Sequence, residues 1–236
     1  MSHFTIKPSI KSIAGFTEVR AIVVSPIDWF VLDLDARMRV TKVELIDSNG
    51  DMADTRFERR GNQIWTHLMP SKQPGETVRL ALHYNGQPLE APAPPWVGGF
   101  TWARTEDGSH WIATSMQFDG ADLWIPCKDH PSDEPDSVAI NITIPAPLYL
   151  ASNGSLRGIT ENKDGTRTVQ LKALTSCSPA LAIALPGHYF DALDYRDFTF
   201  NNFTNRTAVV RDPYARWCGR SGVARPALSR DYTVSL

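Results

Sequence analysis

Apolar and polar residues alternate with a period of two along most of the first 190 residues. Valine, leucine and tyrosine occupy every second position of residues 77–84, and valine and isoleucine do the same in residues 138–144. Successive side chains of a strand point to opposite faces of a sheet, so this pattern places one face on a core and the other toward water. The same alternation predicts strands in residues 17–24, 29–34, 39–46, 63–69, 110–117 and 166–171.

Glycine next to Asn or Asp marks the gaps between these runs. Such pairs tolerate the positive φ of tight turns and predict hairpin loops at residues 48–51, 84–87, 107–108, 153–154 and 164–165. Apolar residues show no helical spacing over any window of a dozen residues, so little helix is expected. The chain is therefore predicted to form an antiparallel all-β domain.

The pattern also predicts how the chain is divided. Residues 90–95 are too rich in proline to form a sheet ladder and predict a stiff loop. The loop is expected to lie inside one domain and not between two, because the residues on both sides of it show the same alternating strand pattern. A single β domain is expected to cover residues 1–190. The alternation fades afterwards, which predicts a partial strand or linker in residues 191–210 and a poorly ordered tail in residues 211–236.

Charge and composition remove whole classes of partner. The 236 residues carry a formal charge of −2 with both signs scattered, so neither nucleic acid nor an anionic membrane is an expected partner. The longest apolar runs fall well short of the roughly 18 residues that a membrane helix needs. A soluble protein is therefore expected. The first residues lack the features of a secretory signal, but one could have been removed, so the compartment stays open between the cytoplasm and the periplasm.

Motifs that would carry catalysis are missing from the sequence. None of the six histidines has another within five residues, so the chain lacks the His-Glu-x-x-His helix of a zinc peptidase. Serine-nucleophile and phosphate-loop motifs are absent as well. The three cysteines form no close pair, which favours reduced thiols over a disulfide framework or a thiolate zinc site. This chain alone is therefore predicted to be inactive, with no catalytic residues and no metal site.

Acidic residues cluster after residue 128. Asp129, Asp133, Glu134 and Asp136 are the oxygen donors that calcium prefers, but their spacing does not follow an EF-hand loop. Pro131 and Pro135 favour an extended turn. The cluster is interpreted as a solvated turn.

Residues 111–135 carry the most distinctive motifs. Met-Gln-Phe-Asp-Gly-Ala at residues 116–121 precedes Ile-Pro-Cys-Lys-Asp at residues 125–129 and Asp-Glu-Pro at residues 133–135. Further short motifs follow one another in matching order at residues 32–34, 40–43, 84–88 and 150–154. As an ordered set they resemble the amino-terminal domain of the aminopeptidase N family of zinc metallopeptidases, which includes leukotriene hydrolase.

This resemblance implies a saddle-shaped, β-sandwich-like domain that caps a zinc-containing catalytic domain, which this chain lacks. Gln117 falls where the family places the Gln or Glu that holds the α-amine of a peptide substrate, and an amide oxygen can accept a hydrogen bond from an ammonium group. Ser115 stands at the position of the family's first Gln. Gly-Ala-Asp at residues 120–122 replaces the usual Asp-Ala-Arg, so the role of that Arg is not transferred.

Two hypotheses from different classes follow. In the first, the chain is the non-catalytic amino-terminal domain of a zinc aminopeptidase; its partners are peptide substrates and the catalytic domain, and the zinc lies in that domain. In the second, it is a free-standing β-sandwich interaction or carbohydrate-binding module. The second hypothesis requires Trp96, Trp102, Trp111 and Trp124 to form an exposed aromatic platform.

Overall fold

A computed structural model describes residues 1–94, 97–116, 119–130, 135–152, 154–174 and 181–184. These residues contain fifteen strands and two single-turn 3-10 helices, Pro8–Ile10 and Ala121–Leu123, which confirms the all-β prediction. The strands are β1 (Ser2–Lys7), β2 (Ser12–Ile22), β3 (Ile27–Asp33), β4 (Met38–Ile46), β5 (Met52–Asp54), β6 (Phe57–Arg60), β7 (Gln63–Lys72), β8 (Thr77–Gly86), β9 (Gly99–Arg104), β10 (His110–Ser115), β11 (Ser137–Pro145), β12 (Tyr149–Ser152), β13 (Ser155–Glu161), β14 (Thr166–Leu174) and β15 (Leu181–Ala184).

The strands form three sheets. The largest has eight strands in the order β13-β14-β11-β1-β2-β8-β4-β5, the second has the order β12-β15-β10-β9, and the third has the order β3-β7-β6. Neighbouring strands are antiparallel except for β1 and β11, which pair in parallel. The antiparallel prediction is confirmed for the other strand pairs of the described residues; β1 and β11 are the exception, because two strands separated by residues 8–136 are not constrained by a hairpin.

A cluster of aromatic rings connects the sheets through the core. The inward side chains of β8 are at most 2% exposed, as their alternation predicted. Trp124, which is 0% exposed, lies 5.2 Å from the ring of Phe4 on β1 and 5.5 Å from the ring of Phe100 on β9. The core is therefore shared between the eight-stranded and four-stranded sheets.

Three of the predicted hairpins are confirmed and two are wrong. Residues 48–51, 107–108 and 164–165 join β4 to β5, β9 to β10 and β13 to β14. Asn85 and Gly86 instead continue β8 between β2 and β4. A Cβ atom on Gly86 would lie 2.3 Å from the carbonyl oxygen of Arg37, so this glycine serves the close approach of a neighbouring backbone. The strands on either side of the turn predicted at residues 153–154, β12 and β13, lie in different sheets and form no hairpin; residue 153 itself lies outside the described residues.

Among the described tryptophans, none is as exposed as the aromatic platform of the second hypothesis requires. Trp124 is wholly buried, and Trp102 is half-buried with its ring stacked on Phe100 at 5.3 Å. Trp111 is half-buried, and Trp96 lies outside the described residues. Core packing in an interior shared by two sheets explains Trp124.

Other predictions fall partly or wholly beyond the ranges that the structure describes. Cys127 is a free thiol, while Cys177 and Cys218 lie outside those ranges. The boundaries at residues 190 and 210 also lie outside them and stay predictions. Within the described ranges, no helix is long and apolar enough to cross a membrane.

Candidate functional site

The candidate site lies where β10 ends. Ser115 is the last residue of β10, is half-buried, and pairs with Gly99 at the start of β9. Met116 follows with a side chain only 1% exposed. Gln117 lies outside the described residues, so its contact with substrate stays a prediction, and the same holds for that of Ser115.

The proline-rich loop is tied to the start of β9. Phe100 donates its backbone N–H to the carbonyl of Leu89 at 2.7 Å and accepts from Ala91 at 2.9 Å. Gly99 has a φ of +134°, and a Cβ atom there would lie 2.6 Å from the Leu89 carbonyl oxygen. Only glycine combines this backbone conformation with so close an approach, so the loop fixes the strand that lies beside Ser115.

A second set of contacts connects the segment after Met116 to the same place. The backbone N–H of Gly98 donates to Oδ2 of Asp119 at 2.6 Å. Gly120 donates its N–H to the carbonyl of Met116 at 3.3 Å. The residues on both sides of residues 117–118 are thus hydrogen-bonded within the site.

The chain then pairs with the end of β3. Asp33 and Cys127 exchange two backbone hydrogen bonds, of 2.7 and 3.1 Å, and Asp129 donates its N–H to Oδ2 of Asp33 at 3.2 Å. The N–H of Asp35 donates to the carbonyl of Asp122 at 2.8 Å. Four aspartates therefore lie close together beside the motif that carries Cys127.

This crowding changes the protonation of the acids. Burial raises the pKa of Asp122 to about 7, and the charges of Asp129, Asp33 and Asp35 add to the shift. Oδ1 of Asp122 is buried and has no hydrogen-bond partner. Burial and the charge of Asp33 also raise the pKa of Asp129. Burial raises the pKa of the Cys127 thiol, which keeps it protonated and unreactive at neutral pH.

The acidic cluster was only partly foreseen. Asp136 is exposed, as a solvated turn predicts; Asp129 is exposed as a whole residue, but its carboxyl is partly buried beside Asp33, and Asp133 and Glu134 lie outside the described residues. The role of Asp122 was missed, although the sequence held a signal: an acid stands where the resembling family has an Arg. Across the part of the chain that the structure describes, no group of three or more His, Cys, Asp and Glu residues is arranged to hold a metal ion.

Replacing Asp122 with Asn is expected to remove a pH dependence of stability. The pKa of this carboxyl is about 7 in the folded state, against an ordinary value of 3.8. Between these two pH values the folded state holds a proton that the unfolded state has released. The contribution of Asp122 to the free energy of unfolding is therefore most favourable below about pH 4, and it falls as the pH rises toward and through 7. After allowance for solvent screening of a partly exposed carboxyl, Asp122→Asn should be about 1–2 kcal/mol more stable than wild type at pH 8.

Urea unfolding at pH 5 and pH 8 measures this difference. Asp136→Asn serves as the control, because Asp136 is exposed, precedes β11 and is not among the charges that raise the pKa of Asp122. An Asp122→Asn protein that gains no stability over wild type between pH 5 and pH 8 would contradict the expectation.

Comparisons with known proteins identify solved structures that have a similar fold. Scans of protein-family models and of curated proteins gave no match. The M1 zinc metallopeptidase from Deinococcus radiodurans is similar with a TM-score of 0.64 and 24% identity, over 78% of this chain and 40% of that chain. A variant of that protein bound to a Tyr-Ser-Ala substrate has a TM-score of 0.63 and 25% identity, again over 78% of this chain and 40% of that chain.

A two-domain M1 zinc metallopeptidase variant bound to L-arginine gives a TM-score of 0.64 and 25% identity, again over 78% of this chain and 40% of that chain. The chain thus spans about 40% of the length of the solved structures that it matches. The match falls on the same domain that the ordered motifs implied. In fold, and at 24–25% identity in sequence, the chain is similar to the amino-terminal domain of the M1 zinc metallopeptidases.

Proposed function

We propose that this chain is the non-catalytic amino-terminal domain of a zinc-dependent aminopeptidase, which removes residues from the amino terminus of peptides. The observation that carries the proposal is the asymmetry of the match, which takes in most of this chain but only 40% of the matched metallopeptidases. Two of those proteins are described with L-arginine or a Tyr-Ser-Ala substrate bound, and both ligands have a free α-amine. Catalysis belongs to the larger remainder.

The proposed role of this chain is to hold the amino terminus of the substrate. An α-ammonium group donates hydrogen bonds, and the amide oxygen of Gln117 accepts one; the hydroxyl of Ser115 is the second proposed contact. An acceptor at a fixed point selects the end of a peptide, because an internal amide offers no ammonium group. The half-buried position of Ser115 at the end of β10, beside the closely packed Gly99, supports a fixed contact.

The proposal assigns no zinc ligand to this chain. The described residues offer no arrangement that fits a zinc ion, so no step through zinc is assigned to them. The proposal therefore expects this chain, by itself, to hydrolyse no aminoacyl anilide and to bind no stoichiometric zinc. Turnover together with one zinc per chain would contradict it.

Titration of the chain with small ligands tests the substrate contact directly. We expect a dipeptide amide with a free α-amine to shift the NMR signals of Ser115 and of the Gln117 side-chain amide, and its N-acetyl counterpart to leave them unchanged. Gln117→Ala should weaken binding about tenfold or more, since a hydrogen bond to a charged group contributes roughly 1.5–3 kcal/mol. Gln170→Ala, exposed on β14, is the matched control and should bind as wild type does.

The same titration addresses the other hypothesis. Oligosaccharides should produce no shift if the chain is a peptidase domain. A response to oligosaccharides, without one to the dipeptide amide, would favour the carbohydrate-binding module instead.

A further inference from the structure

We propose that Asn49 is a modification site, at which the folded protein loses a side-chain amide by spontaneous deamidation with the backbone nitrogen of Gly50 as the nucleophile. Asn49 and Gly50 lie in the turn between β4 and β5. The reaction requires water and no enzyme or cofactor. It is independent of the proposed peptidase function.

The reaction closes a five-membered ring within the Asn-Gly pair. The backbone nitrogen of Gly50 gives up its proton and bonds to Cγ of Asn49, while the bond from Cγ to the side-chain nitrogen breaks and that nitrogen leaves with the proton as ammonia. Water then opens the resulting succinimide at either of its two carbonyl groups. One opening leaves an aspartate at position 49, and the other leaves an isoaspartate, whose main chain runs through the former side chain.

The β4–β5 turn leaves both reacting groups accessible. Residues 47–51 are all exposed, and within the described residues the Asn49 side chain has no hydrogen-bond partner. Gly50 has a φ of +92°, and a Cβ atom there would meet nothing within 4 Å. Its N–H donates to the carbonyl of Asp47 at 3.2 Å, the long end of the range for such a bond. The nucleophile is therefore weakly held and unobstructed.

The Asn85-Gly86 pair has the same two residues in a different backbone setting. The Asn85 side chain is also exposed, but both residues belong to β8 and pair with β2 on one side and β4 on the other. A Cβ atom on Gly86 would lie 2.3 Å from the carbonyl oxygen of Arg37, so the neighbouring backbone leaves little space. Ring closure requires rotation of the asparagine backbone, which would break the ladder on both sides. We therefore expect Asn85 to be protected.

The modification is expected to loosen the edge of the eight-stranded sheet. Oδ1 of Asp47 accepts the N–H groups of Asn49 at 2.8 Å and Asp51 at 2.9 Å. Either product adds a carboxylate beside these two acids, and like charges repel. An isoaspartate also adds a methylene group to the main chain of the turn. Because β5 is exposed and pairs only with β4, it should separate, whereas β4 keeps its pairing with β8.

Mass spectrometry of the full chain, incubated in its folded state at pH 8, measures both rates in one sample. Trypsin releases Asn49 in the peptide of residues 43–56 and Asn85 in that of residues 80–104, and neither peptide has another asparagine. We expect the change from amide to acid to be at least about tenfold faster at Asn49, because β8 has to open before Asn85 can react. In urea, where neither turn nor strand persists, the two rates should converge. The pair at residues 153–154 is left out of the comparison, because residue 153 lies outside the described residues.

Equal rates at Asn49 and Asn85 in the folded protein would overturn the proposal. A difference that persists in urea would also overturn it, because flanking sequence and not structure would then be responsible. Electron-transfer fragmentation should find both aspartate and isoaspartate at position 49, whereas aspartate alone would contradict closure of the ring.

Asn49→Gln is the matched variant, because glutamine keeps an amide but would have to close a larger ring. After equal incubation, hydrogen exchange of the Asp51 amide should be faster in wild type than in Asn49→Gln, with similar urea midpoints. Equal exchange at Asp51 in the two incubated proteins would show that the modification does not loosen β5.

Discussion

Replacing Trp124 with Ala is expected to lower the free energy of unfolding by about 3–5 kcal/mol, the range for removing a large aromatic side chain from a core. The indole is 0% exposed and contacts rings from two different sheets, those of Phe4 and Phe100. Because these neighbours are fixed in separate sheets, they cannot both move to fill the space, and most of the cavity should persist. Urea unfolding followed by far-UV circular dichroism measures the change.

Two further variants separate cavity formation from other effects. Trp124→Phe keeps most of the ring volume and removes an indole N–H that is buried without a hydrogen-bond partner, so it should cost only about 1–2 kcal/mol. Trp65→Ala is the control, because Trp65 is half-buried on the outward side of β7 with its ring next to Arg60. A loss at Trp65 as large as that at Trp124 would show that the shared core is not centred on Trp124.

The burial of Trp124 alters the meaning of the most distinctive motif in the sequence. Residues 111–135 look like one wall of a binding site when their residue types are considered alone. In the structure, the middle of this stretch belongs to the core and to the pairing of Cys127 with Asp33. Of the two candidate contacts, Ser115 lies at the end of β10, and Asp119, which follows it, accepts the N–H of Gly98 immediately before the partner strand β9.

The sequence was informative wherever a structural preference is local. Alternation of apolar residues correctly predicted β8 and β11, because the period of a strand and the face that it buries are properties of a few neighbouring residues. Pairing partners are not local. The parallel pairing of β1 with β11 depends on residues more than a hundred positions apart, and nothing within either strand encodes it. The Asn85-Gly86 pair was misjudged for the same reason, since the approach of Arg37 decides why glycine stands there.

The candidate site could likewise be predicted only where the signal is local in the sequence. The alternation of residues 110–117 correctly placed Ser115 in a strand, although β10 ends at Ser115 itself, and the departure from the family at Asp122 could have revealed the crowded aspartates. The contact between Gly98 and Asp119 could not be predicted, because it joins two loops that come together only after β9 and β10 have paired. Adjacent glycines at residues 98–99 after a proline-rich loop were the one available signal.

Replacing Arg59 with Met is expected to cost about 2–4 kcal/mol. From the inward side of β6, its guanidinium group donates to the backbone carbonyls of Leu34 at 3.1 Å, Asp35 at 2.7 Å and Met38 at 2.8 Å. These carbonyls lie at the connection between β3 and β4, which pass into different sheets. Methionine retains an apolar chain but donates no hydrogen bond, and a buried acceptor left unpaired costs roughly 1–3 kcal/mol.

Its neighbour Arg60 provides a matched control, because adjacent residues of a strand point to opposite faces. Arg60 lies outward, with its guanidinium 4.3 Å from the ring of Trp65 and 2.8 Å from the carboxylate of Glu58. Exposed contacts of this kind contribute little, so Arg60→Met should change the unfolding free energy by no more than about 1 kcal/mol. Equal losses at the two positions would mean that the β3–β4 connection does not depend on Arg59. A loss confined to Arg59→Met would show that one side chain holds together the point at which the chain passes from the three-stranded to the eight-stranded sheet.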